Sequence, residues 1–226
     1  MTRTVLHRSA LSAAALLLAG TALPASAATF FVDFTELNNS GVTGSAQLDY
    51  DETAQTLTVS INATGLVPNQ PHVGHIHGLF SNGQPANSVV PPPSADTDGD
   101  GIITVAEGAP FYGPIILPLS GISNITVGSD GVLNYSQMFD LSDASIFNES
   151  FRAGDLFPLS FREIVLHGGF ANGQYVPTLP VAAGDITAAI PEPATWAMML
   201  LGFFGIGGVL RSRKAKVASQ RVSYGF

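Results

Sequence analysis

Apolar and polar residues alternate along Ala46-Gln47-Leu48-Asp49-Tyr50 and again along Leu57-Thr58-Val59-Ser60-Ile61-Asn62-Ala63. A period of two is that of a strand with one face buried. The polar stretch Asp51-Glu52-Thr53-Ala54-Gln55 between them predicts a turn, and the three pieces together a β-hairpin. Phe30 to Phe34 is a short apolar run, and Ile115 to Leu119, Ile122 to Val127, Val132 to Tyr135 and Glu163 to His167 are further strand candidates. Gly65-Leu66-Val67-Pro68-Asn69 breaks the second hairpin strand, and His72-Val73-Gly74-His75-Ile76-His77-Gly78 follows as the next. A weakly helical patch lies around Ser142 to Phe151, and no segment carries long amphipathic helical spacing. Ser81 to Ser94, with Asn82-Gly83, Pro85 and Pro91-Pro92-Pro93, predicts an irregular or polyproline loop. Short strands separated by turn residues predict an all-β, antiparallel sandwich or barrel.

Both ends depart from this pattern. Residues 1–27 have a basic start (Arg3, His7, Arg8), an apolar run from Ala10 to Ala19 and a small-x-small end at Ala25-Ser26-Ala27, which predicts a secretory signal peptide. Near the other end Pro191-Glu192-Pro193 precedes an apolar run from Ala194 to Leu210, then Arg211, Arg213, Lys214 and Lys216. The run is at the short end of the roughly 17–25 residues that cross a bilayer, so a transmembrane helix is predicted at about 194–210. The basic cluster marks its cytoplasmic side. In this order the three parts, within residues 188–226, resemble the PEP-CTERM sorting signal of Gram-negative, exopolysaccharide-producing bacteria. The resemblance implies export, recognition by an exosortase in the inner membrane, and removal of the tail. The protein would be anchored transiently in that membrane, then held in the cell envelope or extracellular matrix.

Setting the ends aside changes the charge. Of nine Lys and Arg, only Arg152 and Arg162 lie between Ala28 and Ile190, against sixteen of the seventeen acidic residues, which leaves a formal −14. Such a surface repels phosphate backbones and excludes nucleic acid as a partner. The chain has no cysteine, so its exported part must be held by its core or by bound metal. Residues 28–187 are long enough for one domain with a proper core.

Asp96-Thr97-Asp98-Gly99-Asp100-Gly101-Ile102-Ile103-Thr104-Val105-Ala106-Glu107 fits a twelve-residue EF-hand-type loop. Asp96, Asp98 and Asp100 take positions one, three and five, and Gly101 takes the sixth, where the chain turns sharply. Ile102 offers its carbonyl at the seventh, Thr104 stands at the ninth, and Glu107 at the twelfth can bind with both oxygens. The spacing wraps hard oxygen ligands around one Ca2+. Three prolines precede the loop and Gly108-Ala109-Pro110 follows it too closely for a second full helix, so the expectation is a structural calcium site pinning an inter-strand insertion.

Residues two apart on a strand share a face, so His75 and His77 project together while Ile76 points the other way. Joined by His167, with or without His72, they could ligate copper or zinc as neutral imidazoles; alternatively they hydrogen-bond backbone and loop groups inside the fold. There is no Gly-x-Ser-x-Gly elbow, no cysteine nucleophile and no phosphate-cradling loop, and no catalytic residue is assigned.

Thr43-Gly44-Ser45-Ala46-Gln47-Leu48, Leu57-Thr58-Val59-Ser60, Gly65-Leu66 and Gly74-His75-Ile76-His77-Gly78 together resemble the CHRD (chordin-type) domain. Arg162 to Gly168 and Leu179 to Ile186 are similar to its closing half, with the calcium-loop insertion and a missing arginine after Gly184-Asp185-Ile186 as departures. The resemblance implies an antiparallel Greek-key β-sandwich, immunoglobulin-like or superoxide-dismutase-like, without an established catalytic activity. A His-x-His strand is also how Cu/Zn superoxide dismutases present two copper ligands, but those enzymes need a bridging histidine, a separate zinc set and a disulfide. The expectation is therefore a calcium-stabilised structural or adhesive protein linked to exopolysaccharide, biofilm or matrix proteins. The alternative is a mononuclear copper or zinc protein with redox activity at the His-x-His strand.

Overall fold

The computed structural model describes residues 28–119, 125–149, 151–189, 196–207 and 211. The predicted leader and Pro191, Glu192 and Pro193 lie outside them. The described chain is mostly antiparallel β-sheet with few helices. In order it forms β1 (Ala28–Asp33), β2 (Thr35–Glu36), β3 (Thr43–Asp51), β4 (Thr56–Thr64), β5 (Pro71–Ser81), β6 (Gln84–Ala86), α1 (Val105–Tyr112) and β7 (Ile115–Pro118). β8 (Ile125–Thr126), β9 (Leu133–Asp140), α2 (Ala153–Leu156), β10 (Arg162–Ala171), β11 (Gln174–Asp185) and β12 (Thr187–Ala188) follow.

One sheet runs β12-β1-β3-β4-β9 and the other β2-β11-β10-β5-β6, with β7 and β8 also pairing β5. The predicted hairpin is β3–β4, in register from Thr43↔Thr64 to Asp51↔Thr56. Its alternation buries Ala46, Leu48, Leu57, Val59 and Ile61, and these meet Ile76, Ile164 and Leu166 of the second sheet in one apolar core. The strand period thus accounts for the first sheet's buried face and for Ile76 turning inward.

Several expectations change. Ser81 to Ser94 is not all irregular: Asn82 (φ 51°) and Gly83 (φ 74°) make a tight turn, and β6 returns alongside the end of β5. Both central residues adopt positive φ, the geometry that an Asn-Gly dipeptide favours in a two-residue hairpin. The strand β11 was not foreseen, because Pro177 and Pro180 interrupt its apolar pattern, yet it pairs β10 along nearly its whole length. A short helix, α1, starts within the acidic loop at Val105 and ends at Tyr112, five residues past Glu107. Thr104 and Glu107 cap α1 reciprocally, and Pro110 inside it forfeits only one backbone hydrogen bond of a short helix.

Every residue of β10 from Arg162 to Gly169 is buried, unlike a strand with one wet face. The reason is that residues 87–113 fold over the outer face of the second sheet. A second apolar cluster forms there from Ala95, Ile103 and Tyr112 above Val165 and Ala183. Asn38 fastens this cover: its amide donates to the carbonyls of Ile103 and Pro180, both at 2.9 Å, and its oxygen accepts from Ile103 N at 2.6 Å. The helical patch expected at Ser142 to Phe151 is a single 3-10 turn, Ala144–Ile146, with α2 beyond it.

Among the described residues no helix is long and apolar enough to cross a membrane. Residues 196–207 are helical, and twelve residues at about 1.5 Å each reach roughly 18 Å, short of a hydrocarbon core of about 30 Å. The rest of the span predicted at 194–210 lies outside the described residues.

Candidate metal centre

The antiparallel register sets the site. On β5 and β10 it pairs His75 with Val165, His77 with Glu163 and Val73 with His167, so the three histidines rise from one outer face. His75, His77 and His167 each bring one ring nitrogen within 4.8 Å of the others. Their ring centroids stand 5.0 Å (His75–His167), 5.5 Å (His75–His77) and 6.0 Å (His77–His167) apart. They lie not inside the two-sheet core but under the cover formed by α1.

Hydrogen bonds fix two of the tautomers. His77 Nδ1 donates to the Gly113 carbonyl and His167 Nδ1 to the Thr178 carbonyl, both at 2.8 Å. A carbonyl can only accept, so the proton sits on Nδ1 and Nε2 is bare. Both Nε2 atoms are buried without a partner, as is His75 Nδ1. Two bare acceptors and a third unpartnered ring nitrogen buried in one cluster make a costly arrangement unless something fills the space between the rings. Burial holds His75 and His77 down to about 3 and His167 to about 4, with mutual repulsion of the rings adding to the effect for His75 and His77. The imidazoles are therefore neutral at ordinary pH, the form that ligates metal. A carbonyl behind the ring is the support that metal-bound histidines typically have. Metal–nitrogen bonds of about 2.0–2.1 Å put tetrahedral ligands roughly 3.3 Å apart, inside the 4.8 Å that bounds these nitrogens.

His72 does not join the cluster. Its ring nitrogens face the carbonyls of His167 (3.0 Å) and Val67 (2.9 Å), so it ties a loop to the bulge in β10. Two features escaped the sequence reading. Tyr112 of α1 stacks edge-on against His77 at 4.7 Å, with its hydroxyl donating to the Val105 carbonyl. Glu163 is wholly buried beside them with neither oxygen hydrogen-bonded, and burial followed by Asp185 pushes its carboxyl up to about 8. The signal was there: a lone acid in an apolar strand, four residues before His167.

In the acidic loop the structure gathers a carboxylate oxygen each from Asp96, Asp98 and Glu107 within 4.8 Å. Asp100 stays outside, its Oδ1 accepting from Ile102 N at 2.8 Å. Asp96 accepts from Gly99 N and Gly101 N, both at 2.8 Å, and Gly101 turns at φ 85° in the sixth position. Thr104 is the cap of α1, with its hydroxyl on Glu107 at 2.9 Å. The N–H groups of Thr104 and Thr97 and their hydroxyls hold the Glu107 carboxyl down to about 2.

Comparison with protein families matches residues 189–214 to the PEP-CTERM protein-sorting motif. The motif marks an exported protein processed by an exosortase at the bacterial cell envelope, and the match lies wholly beyond the histidine-bearing sheets. A search of curated proteins finds no match to the chain.

Proposed function

We propose that this exported protein is a mononuclear copper or zinc protein of the envelope or extracellular matrix, with His75, His77 and His167 as ligands. The observation that carries the reading is the convergence of three neutral imidazoles, each with a buried ring nitrogen that has no partner among the described residues. Three protein ligands leave a coordination position free, the pattern of sites that do chemistry rather than of closed structural ones. A bound copper or zinc ion would supply Lewis acidity there, and copper also redox capacity. The chain's part is to hold the rings through Gly113 and Thr178 and to keep water away with Tyr112. The surrounding fold is read as a CHRD-type β-sandwich, of immunoglobulin-like or superoxide-dismutase-like kind, supported by the sequence motifs and by the apolar core shared between two antiparallel sheets.

A second reading is a calcium-stabilised structural or adhesive protein associated with exopolysaccharide, biofilm or matrix proteins. It draws on the gathering of Asp96, Asp98 and Glu107 and on the capping of α1 by Glu107. The two are compatible, because that helix covers the histidines. Before processing, the apolar tail would hold the chain transiently in the inner membrane, a role supported by the exposure of Trp196, Met199, Phe203 and Phe204. Elemental analysis of the purified exported protein tests the first reading. Copper or zinc near one per chain, lost in His77→Ala, supports it; calcium alone leaves only the second.

A further inference from the structure

Resting on the metal reading, we propose that the three-histidine site receives a neutral aromatic alcohol, a phenol-like molecule, whose ring lies in the cavity above the imidazoles. A cavity of about 580 Å³ opens over His75, His77 and His167. That volume is within the roughly 300–1,000 Å³ of small-molecule sites, and so is its make-up: apolar walls with a few convergent polar groups. Leu79, Phe80, Val105, Ala109 and Ile115 supply the walls. The Tyr112 hydroxyl donates to Val105 and can only accept from the cavity, where the imidazoles and the Thr178 hydroxyl are the other polar side chains.

Among the described residues no lysine or arginine lines the cavity, and the domain carries a formal −14 from two cations against sixteen acids. A small anion would find nothing to offset its own apolar surroundings except a metal, and would leave the walls unfilled. A phenol satisfies both ends. Its ring buries against the walls, and its hydroxyl oxygen reaches the free coordination position. In the metal-free protein the apolar walls remain to hold the ring, over a floor made by the His75, His77 and His167 side chains.

The test titrates 4-ethylphenol into the copper-loaded exported protein and reads the copper absorption spectrum, with wild type and Val105→Trp compared. Val105 lines the cavity and is 42 % exposed, so tryptophan there adds bulk at the cavity wall from a position outside the buried core. The expected result is a saturable spectral shift in wild type, weakened roughly tenfold or more in Val105→Trp while copper is retained. No shift with copper bound, or an equal shift in both proteins, overturns the inference. Copper binding that is absent, or that survives His167→Ala, overturns the metal reading instead. The cavity is then tested in chelator-treated protein by NMR: saturable 4-ethylphenol binding lost in Val105→Trp supports the inference, and no binding overturns it.

Discussion

Replacing Glu163 with glutamine isolates what one buried carboxyl does to the fold. In wild type the group is wholly buried, unpartnered and raised from 4.5 to about 8. The folded chain therefore keeps a proton that the unfolded chain releases above 4.5. Its contribution to stability is fully present below that value and is lost as pH rises toward about 8. At about 1.36 kcal/mol per pH unit, the loss is roughly 3 kcal/mol at pH 7 and roughly 5 kcal/mol above pH 9. Either is a large share of a typical total of about 5–15 kcal/mol. Glutamine cannot ionise, so Glu163→Gln gains on wild type as pH rises. Urea denaturation of chelator-treated wild type and variant at about pH 5, 7 and 9 reads the difference directly. A gap that opens by several kcal/mol supports the reasoning. A gap constant across that range refutes it, because the carboxyl would then be solvated or paired.

The same linkage runs the other way for the imidazoles: held at about 3 to 4, they stay neutral while the unfolded chain takes up protons below 6.5, so metal-free stability falls as pH drops from 6.5 toward about 3. Thermal melts against pH check this, and bound metal should likewise be retained well below the pH at which an exposed histidine site lets go. Gly168→Ala puts a Cβ against the Tyr175 hydroxyl and the His72 ring at a φ of 115°, and should cost on the order of 2–3 kcal/mol in denaturant titration. Calcium at about ten times Kd should add about 1.4 kcal/mol to wild type and nothing to Asp96→Ala; calorimetry with and without chelator decides.

The strand alternation made most of the first sheet legible, and so did the facing of His75 and His77 away from Ile76. What stayed hidden is long-range. That His167 returns to the pair depends on the β5–β10 register, which spans ninety residues of intervening chain with no local signal. The cover over the sheet was misread because Pro91-Pro92-Pro93 and Pro110 argue against regular structure, whereas tertiary packing of Tyr112 and the Thr104–Glu107 cap outweigh them. The full burial of Glu163 likewise depends on the cover over this sheet face.

The most direct test is electron paramagnetic resonance of the chelator-stripped exported protein titrated with Cu(II). One ion per chain with coupling to three nitrogens, abolished by His167→Ala, is the predicted result. Copper bound only through oxygen, or bound equally well without His167, would contradict the account.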